Sequence, residues 1–106
     1  MPGETWTHGE KKIARRVFEA ALQRELAEVM AEFKSRAASA KEPEEMWAVE
    51  EYLAQARRAI DSKYDYRYSQ LSLVFGRLRR EKRIEEAELD GLAEEKLSFI
   101  RRYASL

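Results

Sequence analysis

From Glu10 to Glu42 the chain contains neither glycine nor proline, and apolar residues return every three or four positions through that stretch. Ile13, Val17, Ala21, Leu22, Leu26, Val29, Met30, Phe33 and Ala37 fall on one side of a helical period, the spacing of an α-helix that buries a single stripe. Thr7 and Glu10 stand as a capping box does, a hydroxyl and a carboxylate satisfying orphan amides at a helix start, with Trp6 just outside the cap. One helix is expected from residue 7 to about residue 40. At 1.5 Å per residue such a helix is roughly 50 Å long, against a radius of gyration of about 13 Å for a compact chain of this size. The molecule is therefore expected to be elongated.

Elsewhere breakers are just as scarce: Pro2, Pro43, Gly3, Gly9, Gly76 and Gly91. The abundant Ala, Glu, Arg, Lys and Leu lose little rotamer freedom in a helix, so the fold class is all-α. Lys41 and Glu42 lead into Pro43, whose missing amide hydrogen costs nothing in a first helical turn. A second helix begins there, with Met46, Trp47, Val49, Leu53, Ala56 and Ile60 as its stripe. The two helices are expected to pair as a long antiparallel hairpin. Propensity weakens at Asp61, Ser62 and Lys63, and Tyr64, Tyr66 and Tyr68 follow, a pattern compatible with a break, a kink or a continuation. Leu71, Leu73, Val74, Phe75 and Leu78 form a third block. Consecutive Leu73, Val74 and Phe75 cannot all point inward, so part of this block is expected to meet a partner. Ile84 and Glu85 read as a short turn into a last helix carrying Leu89, Leu92, Leu97 and Ile100. Residues 1–106 are expected to form a single all-helical domain. Two long helices alone leave much of their stripes facing water, and an open patch of that size marks an interface. A two-fold homodimer is the natural completion.

Reactive groups are few. The chain has one histidine, His8, and no cysteine, which excludes disulfides, thiolate chemistry and Cys-type zinc sites. Glu44–Glu45, Glu50–Glu51 and Glu94–Glu95 are sequence neighbours, which on a helix point about 100° apart, so they read as solvated surface. No phosphate-binding glycine loop, metal-ligand spacing or nucleophile elbow is found. Arg77 to Arg83 is basic and precedes a turn and a helix, superficially a DNA-binding arrangement. Glu81 interrupts it, and twenty basic residues balance twenty acidic ones over the chain, so nucleic acid is not the expected partner. The N-terminus lacks a signal-peptide core, and no apolar run approaches the roughly 20 residues of a membrane span. A cytoplasmic protein without membrane insertion is expected.

Trp47, Tyr52-Leu53, Arg57 and the run Ile60-Asp61-Ser62-Lys63-Tyr64-Asp65-Tyr66-Arg67, followed by Val74-Phe75, Leu78, Glu88-Leu89-Asp90-Gly91-Leu92, Lys96-Leu97 and Ile100, together resemble the cyanobacterial fluorescence recovery protein family over about residues 6–103. The resemblance implies a dimeric, cofactor-free, non-enzymatic protein with a helical stalk over about residues 7–60 and a smaller helical head over about 64–103. It also implies a function. Members of the family bind the light-activated orange carotenoid protein through its C-terminal domain, speed its return to the inactive orange state and so end non-photochemical quenching at the phycobilisome. Carried over by position, Trp47, Glu51 and Arg57 are expected at the dimer interface. Lys63, Tyr64, Asp65, Arg67, Leu73, Phe75 and Phe99 are expected toward the partner. This chain departs from the family pattern at several places. Glu50 and Glu51 stand where the family has a His-Asp pair, Ser62 replaces a glycine, and Leu73 and Phe99 replace an aromatic and a basic residue. A dimeric helical adaptor for a different client protein is the alternative implied.

Overall fold

The computed structural model describes residues 5–106; Pro2 and Gly3, two of the breakers named above, lie outside the described residues. The chain forms four α-helices, α1 (His8–Ser39), α2 (Pro43–Lys63), α3 (Leu71–Arg80) and α4 (Glu94–Ala104), with a 3₁₀ turn at Glu86–Leu89 between the last two. No strand occurs among the described residues, so the all-α reading holds.

Both expected helix starts are present, and each is fixed by local chemistry. The Glu10 amide donates to Thr7 Oγ1 at 3.1 Å while the Thr7 amide donates to Glu10 Oε1 at 3.0 Å. At the start of α2, Glu45 Oε1 accepts the Lys41 and Glu42 amides at 2.8 Å each. Those two bonds hold the Glu45 carboxyl below its usual value. The question left open near Asp61 is decided by a break: α2 ends at Lys63, and Tyr64–Arg67 is non-helical.

The chain divides into two compact units, Leu22–Lys63 and a second built from residues 5–21 with Tyr64–Leu106. The second unit holds nearly all of the apolar core. Trp6, Val17, Phe18, Leu71, Phe75, Leu78, Ile84, Leu89 and Ile100 are buried there, and among fully buried apolar residues only Ile60 belongs to the other unit. Within the core unit α3 and α4 pack so closely that a Cβ on Gly76 would sit 2.6 Å from the Tyr103 ring. α3 ends in a Schellman arrangement: Lys82 takes a left-handed φ of 60°, its amide donates to the Arg79 carbonyl, and the Arg83 amide donates to the Leu78 carbonyl at 2.8 Å, which satisfies two carbonyls at the helix end.

The last helix differs from expectation. Leu89 lies on the 3₁₀ turn, Leu92 lies in a loop, and α4 begins only at Glu94. Gly91 causes the split: its φ of +107° leaves the helix, and a Cβ there would come 2.5 Å from Ile13 Cδ1. Glycine alone lets the backbone press onto α1 at this point. Leu89 and Leu92 are still buried, but through the turn and not through a helical face.

The unit Leu22–Lys63 is an antiparallel pair made by the later part of α1 and by α2. The Arg36 guanidinium lies 4.4 Å over the Tyr52 ring, and Lys63 Nζ reaches Glu25 at 2.8 Å. The step from the first contact to the second is the same length along both helices, forward on one and backward on the other. That is the register of an antiparallel hairpin, as the periodicity predicts.

Candidate protein-interaction surfaces

The hairpin unit leaves its apolar stripe uncovered. Met30 is 57% exposed, Met46 52%, Trp47 60% and Leu26 39%. Between the helices runs a groove of about 310 Å³ that includes Phe33, Ala37, Met46, Val49 and Leu53 in its lining. A second groove of about 570 Å³ continues along Leu26, Val29, Met30 and Phe33. Glu50 lines the first of these, so one of the two carboxylates at the family's His-Asp position borders apolar surface. The structure leaves Trp47, Glu51 and Arg57 exposed. Glu51 accepts from Gln55 Nε2 at 3.0 Å, Arg57 lies 3.7 Å from Asp61, and the Trp47 ring projects toward solvent.

The residues expected toward a partner are placed unequally. Lys63 is 6% exposed and paired with Glu25 inside the hairpin unit. In the core unit, Tyr64 packs edge-on against Phe18 at 5.5 Å. Asp65 accepts from Arg67 Nε at 2.8 Å, a bond that holds the Asp65 carboxyl below its usual value and raises Arg67. Leu73 is half-buried on α3, as the packing of three consecutive apolar residues demands, while Val74 and Phe75 turn inward. Phe75 is fully buried, so in this conformation it shapes the surface of α3 from beneath and touches nothing outside. Phe99 is half-buried and stacks on Tyr103 with centroids 6.3 Å apart and planes 5° apart.

Two buried ion pairs escaped the sequence reading. Lys96 Nζ meets Glu10 Oε1 at 3.2 Å and the Thr5 carbonyl at 2.8 Å, and the Ala93 amide donates to Glu10 Oε2 at 2.8 Å. The residue that caps α1 thus also holds the start of α4. Burial pushes the Glu10 carboxyl up, but the Thr7 and Ala93 amides and the Lys96 ammonium outweigh it and keep it below its usual value. The other pair is Glu25–Lys63. Neither pairing has a local sequence signal, because each joins residues far apart in the chain, 86 and 38 positions respectively.

The tyrosines that follow α2 pack as an aromatic cluster in the core unit. Tyr66 stands edge-on to Phe18 at 4.8 Å, and Trp6 Nε1 donates to the Tyr68 carbonyl at 3.1 Å. Burial, then the neighbouring Tyr68, raise the Tyr66 hydroxyl above its usual value. Most of the basic segment is engaged within the chain: Arg77 and Arg83 reach Glu81, Arg79 donates to the Ile84 carbonyl, and Arg80 donates to the Tyr103 carbonyl. Across the core unit's last turn, Arg101 joins Glu86 at 3.0 Å and Glu94 at 2.9 Å. Among the described residues no cluster of three metal-ligating side chains occurs, and no helix is long and apolar enough to cross a membrane.

A helical unit closed around its own core and an antiparallel hairpin with an uncovered apolar face place the chain among the all-α proteins. Residues 6–104 match the model of the photoprotection regulator fluorescence recovery protein family, and the chain belongs to that family. It is 34% identical to the fluorescence recovery protein of Synechocystis sp. over 101 residues, covering 95% of this chain and 93% of that relative. The solved fluorescence recovery protein of Fremyella diplosiphon superposes with a TM-score of 0.91 at 31% identity, covering 96% of this chain and all of that one. The Synechocystis structure gives the same TM-score at 33% identity and the same coverage. Its role is that of its family, photoprotection regulation.

Proposed function

We propose that this chain binds the light-activated orange carotenoid protein through that protein's C-terminal domain and accelerates its return to the inactive orange state, ending non-photochemical quenching. It acts without a cofactor, in the cytoplasm, as a homodimer whose hairpin units form the stalk. The observation that carries the reading is the family match over residues 6–104, which spans both compact units. A regulator of this kind must favour a conformation on the return path, or the barrier to it, because equal affinity for every state shifts nothing. The open hairpin face, with Trp47, Glu51 and Arg57 exposed on α2, supports burial between two copies. Tyr64, Asp65, Arg67, Leu73 and Phe99 on the core unit are the surface offered to the carotenoid protein, with Phe75 supporting α3 beneath them.

The test is to add the protein to photoactivated orange carotenoid protein and follow recovery of the orange form in the dark. Faster recovery together with a detectable complex is expected; no acceleration and no complex would overturn the reading. A second reading, a helical adaptor for another client, is favoured by Glu50 in the hairpin groove and by Phe99 where the family pattern has a basic residue. Silence in the recovery assay with capture of a defined unrelated partner would select it.

A further inference from the structure

Four of the six residues from Lys11 to Arg16 are cations, and Glu10 is the single carboxylate between His8 and Phe18. That carboxylate is turned inward and neutralised by Lys96, so it does nothing for its basic neighbours. Lys11 and Arg15 are one helical turn apart, as are Lys12 and Arg16, and like charges so spaced repel. They also crowd the N-terminal turns of α1, where the helix dipole disfavours positive charge. The chain gives little back for this arrangement. Arg15 meets Glu19 at 3.3 Å with both side chains about half exposed, Arg16 reaches the Glu88 carbonyl at a long 3.4 Å, and Lys12 has no ion pair among the described residues.

What the fold does supply is a rigid seat. Arg15 lies 4.0 Å over the Tyr66 ring and Lys11 5.0 Å over the Tyr68 ring, and those rings are themselves held by Phe18 and Trp6. Cations pinned on aromatic faces lose less freedom when they bind. Together with Lys12 and Arg16 they border a concavity of about 450 Å³.

We infer that this basic, tyrosine-floored groove at the N-terminal end of α1 docks an acidic polypeptide segment. One helical turn between cation rows is about 6 Å, close to the repeat of alternate side chains on an extended strand, so glutamates at every second position match it. A base-stacking nucleic acid does not suit the site, because the tyrosine faces are already covered by cations. An anionic bilayer surface is the alternative occupant, and the vesicle arm of the test distinguishes it. The inference uses no residue of Leu22–Lys63 and does not depend on the carotenoid-protein reading, since an acidic segment of any client satisfies it.

The test uses a fluorescein-labelled ten-residue peptide of alternating glutamate and serine, with fluorescence polarisation at low and physiological salt. Binding is expected to weaken as salt rises and to fall about tenfold or more in Lys12→Glu/Arg16→Glu, but less than about twofold in Lys34→Glu/Lys41→Glu on the hairpin unit. Circular dichroism confirms that both variants remain helical, and amide-shift mapping of the bound wild type places the peptide by Lys11, Tyr66 and Tyr68. Equal binding by wild type and Lys12→Glu/Arg16→Glu would overturn the inference. So would tighter binding of a short DNA duplex or of phosphatidylserine vesicles to the same face.

Discussion

Glu10 ties three parts of the core unit together. It caps α1, accepts the Ala93 amide and neutralises Lys96 in a site where both side chains are nearly inaccessible. Glu10→Gln leaves the Lys96 charge buried without its counter-charge and is expected to cost about 3 kcal/mol in chemical denaturation. Glu10→Gln/Lys96→Met should recover much of that loss, because removing both charges leaves neither stranded. The pH dependence has a definite sign. The folded carboxyl lies below its ordinary value of 4.5, so its contribution is complete above that value and fades as pH falls through the lowered one. The stability gap between wild type and Glu10→Gln should therefore narrow on acidification below about pH 4.5. At Lys82, a non-glycine residue holds a left-handed C-terminal position; Lys82→Gly should raise the thermal midpoint, stabilising by about 0.5–1 kcal/mol.

Among the elements, α1, the start of α2 and the antiparallel hairpin follow from period and caps, because both signals are local. The split of the last helix does not. Leu89, Leu92 and Leu97 keep a near-helical spacing, and what interrupts them is Gly91 pressed against Ile13, a contact between distant parts of the chain. The buried lysines are hidden for the same reason: Lys96 and Lys63 find their carboxylates 86 and 38 residues away. Of the candidate site, Trp47 is exposed on the hairpin, whereas Phe75, an aromatic in the third apolar block, is core. Sequence shows that Leu73, Val74 and Phe75 must divide between inside and outside; only packing against α4 decides which goes where. Trp47 is the largest side chain on the open hairpin surface. Trp47→Ala should weaken self-association by about 2 kcal/mol, measured by sedimentation over a dilution series, while leaving helicity intact.

For the molecule as a whole, the apolar core is divided unevenly. The unit of residues 5–21 and Tyr64–Leu106 is closed around its own core, whereas in Leu22–Lys63 only Glu25, Ile60 and Lys63 are buried. Two of those three are charged and satisfy each other. With one fully buried apolar residue and exposed methionines, leucine and tryptophan, the hairpin presents the kind of apolar patch that marks an interface, which is the basis of the proposed homodimer. In the proposed homodimer, a second copy would bring a matching apolar face by symmetry. The direct measurement is the molar mass in solution by light scattering at micromolar concentration. Twice 12.5 kDa is the predicted result, and a mass of 12.5 kDa with the hairpin still helical would contradict the account.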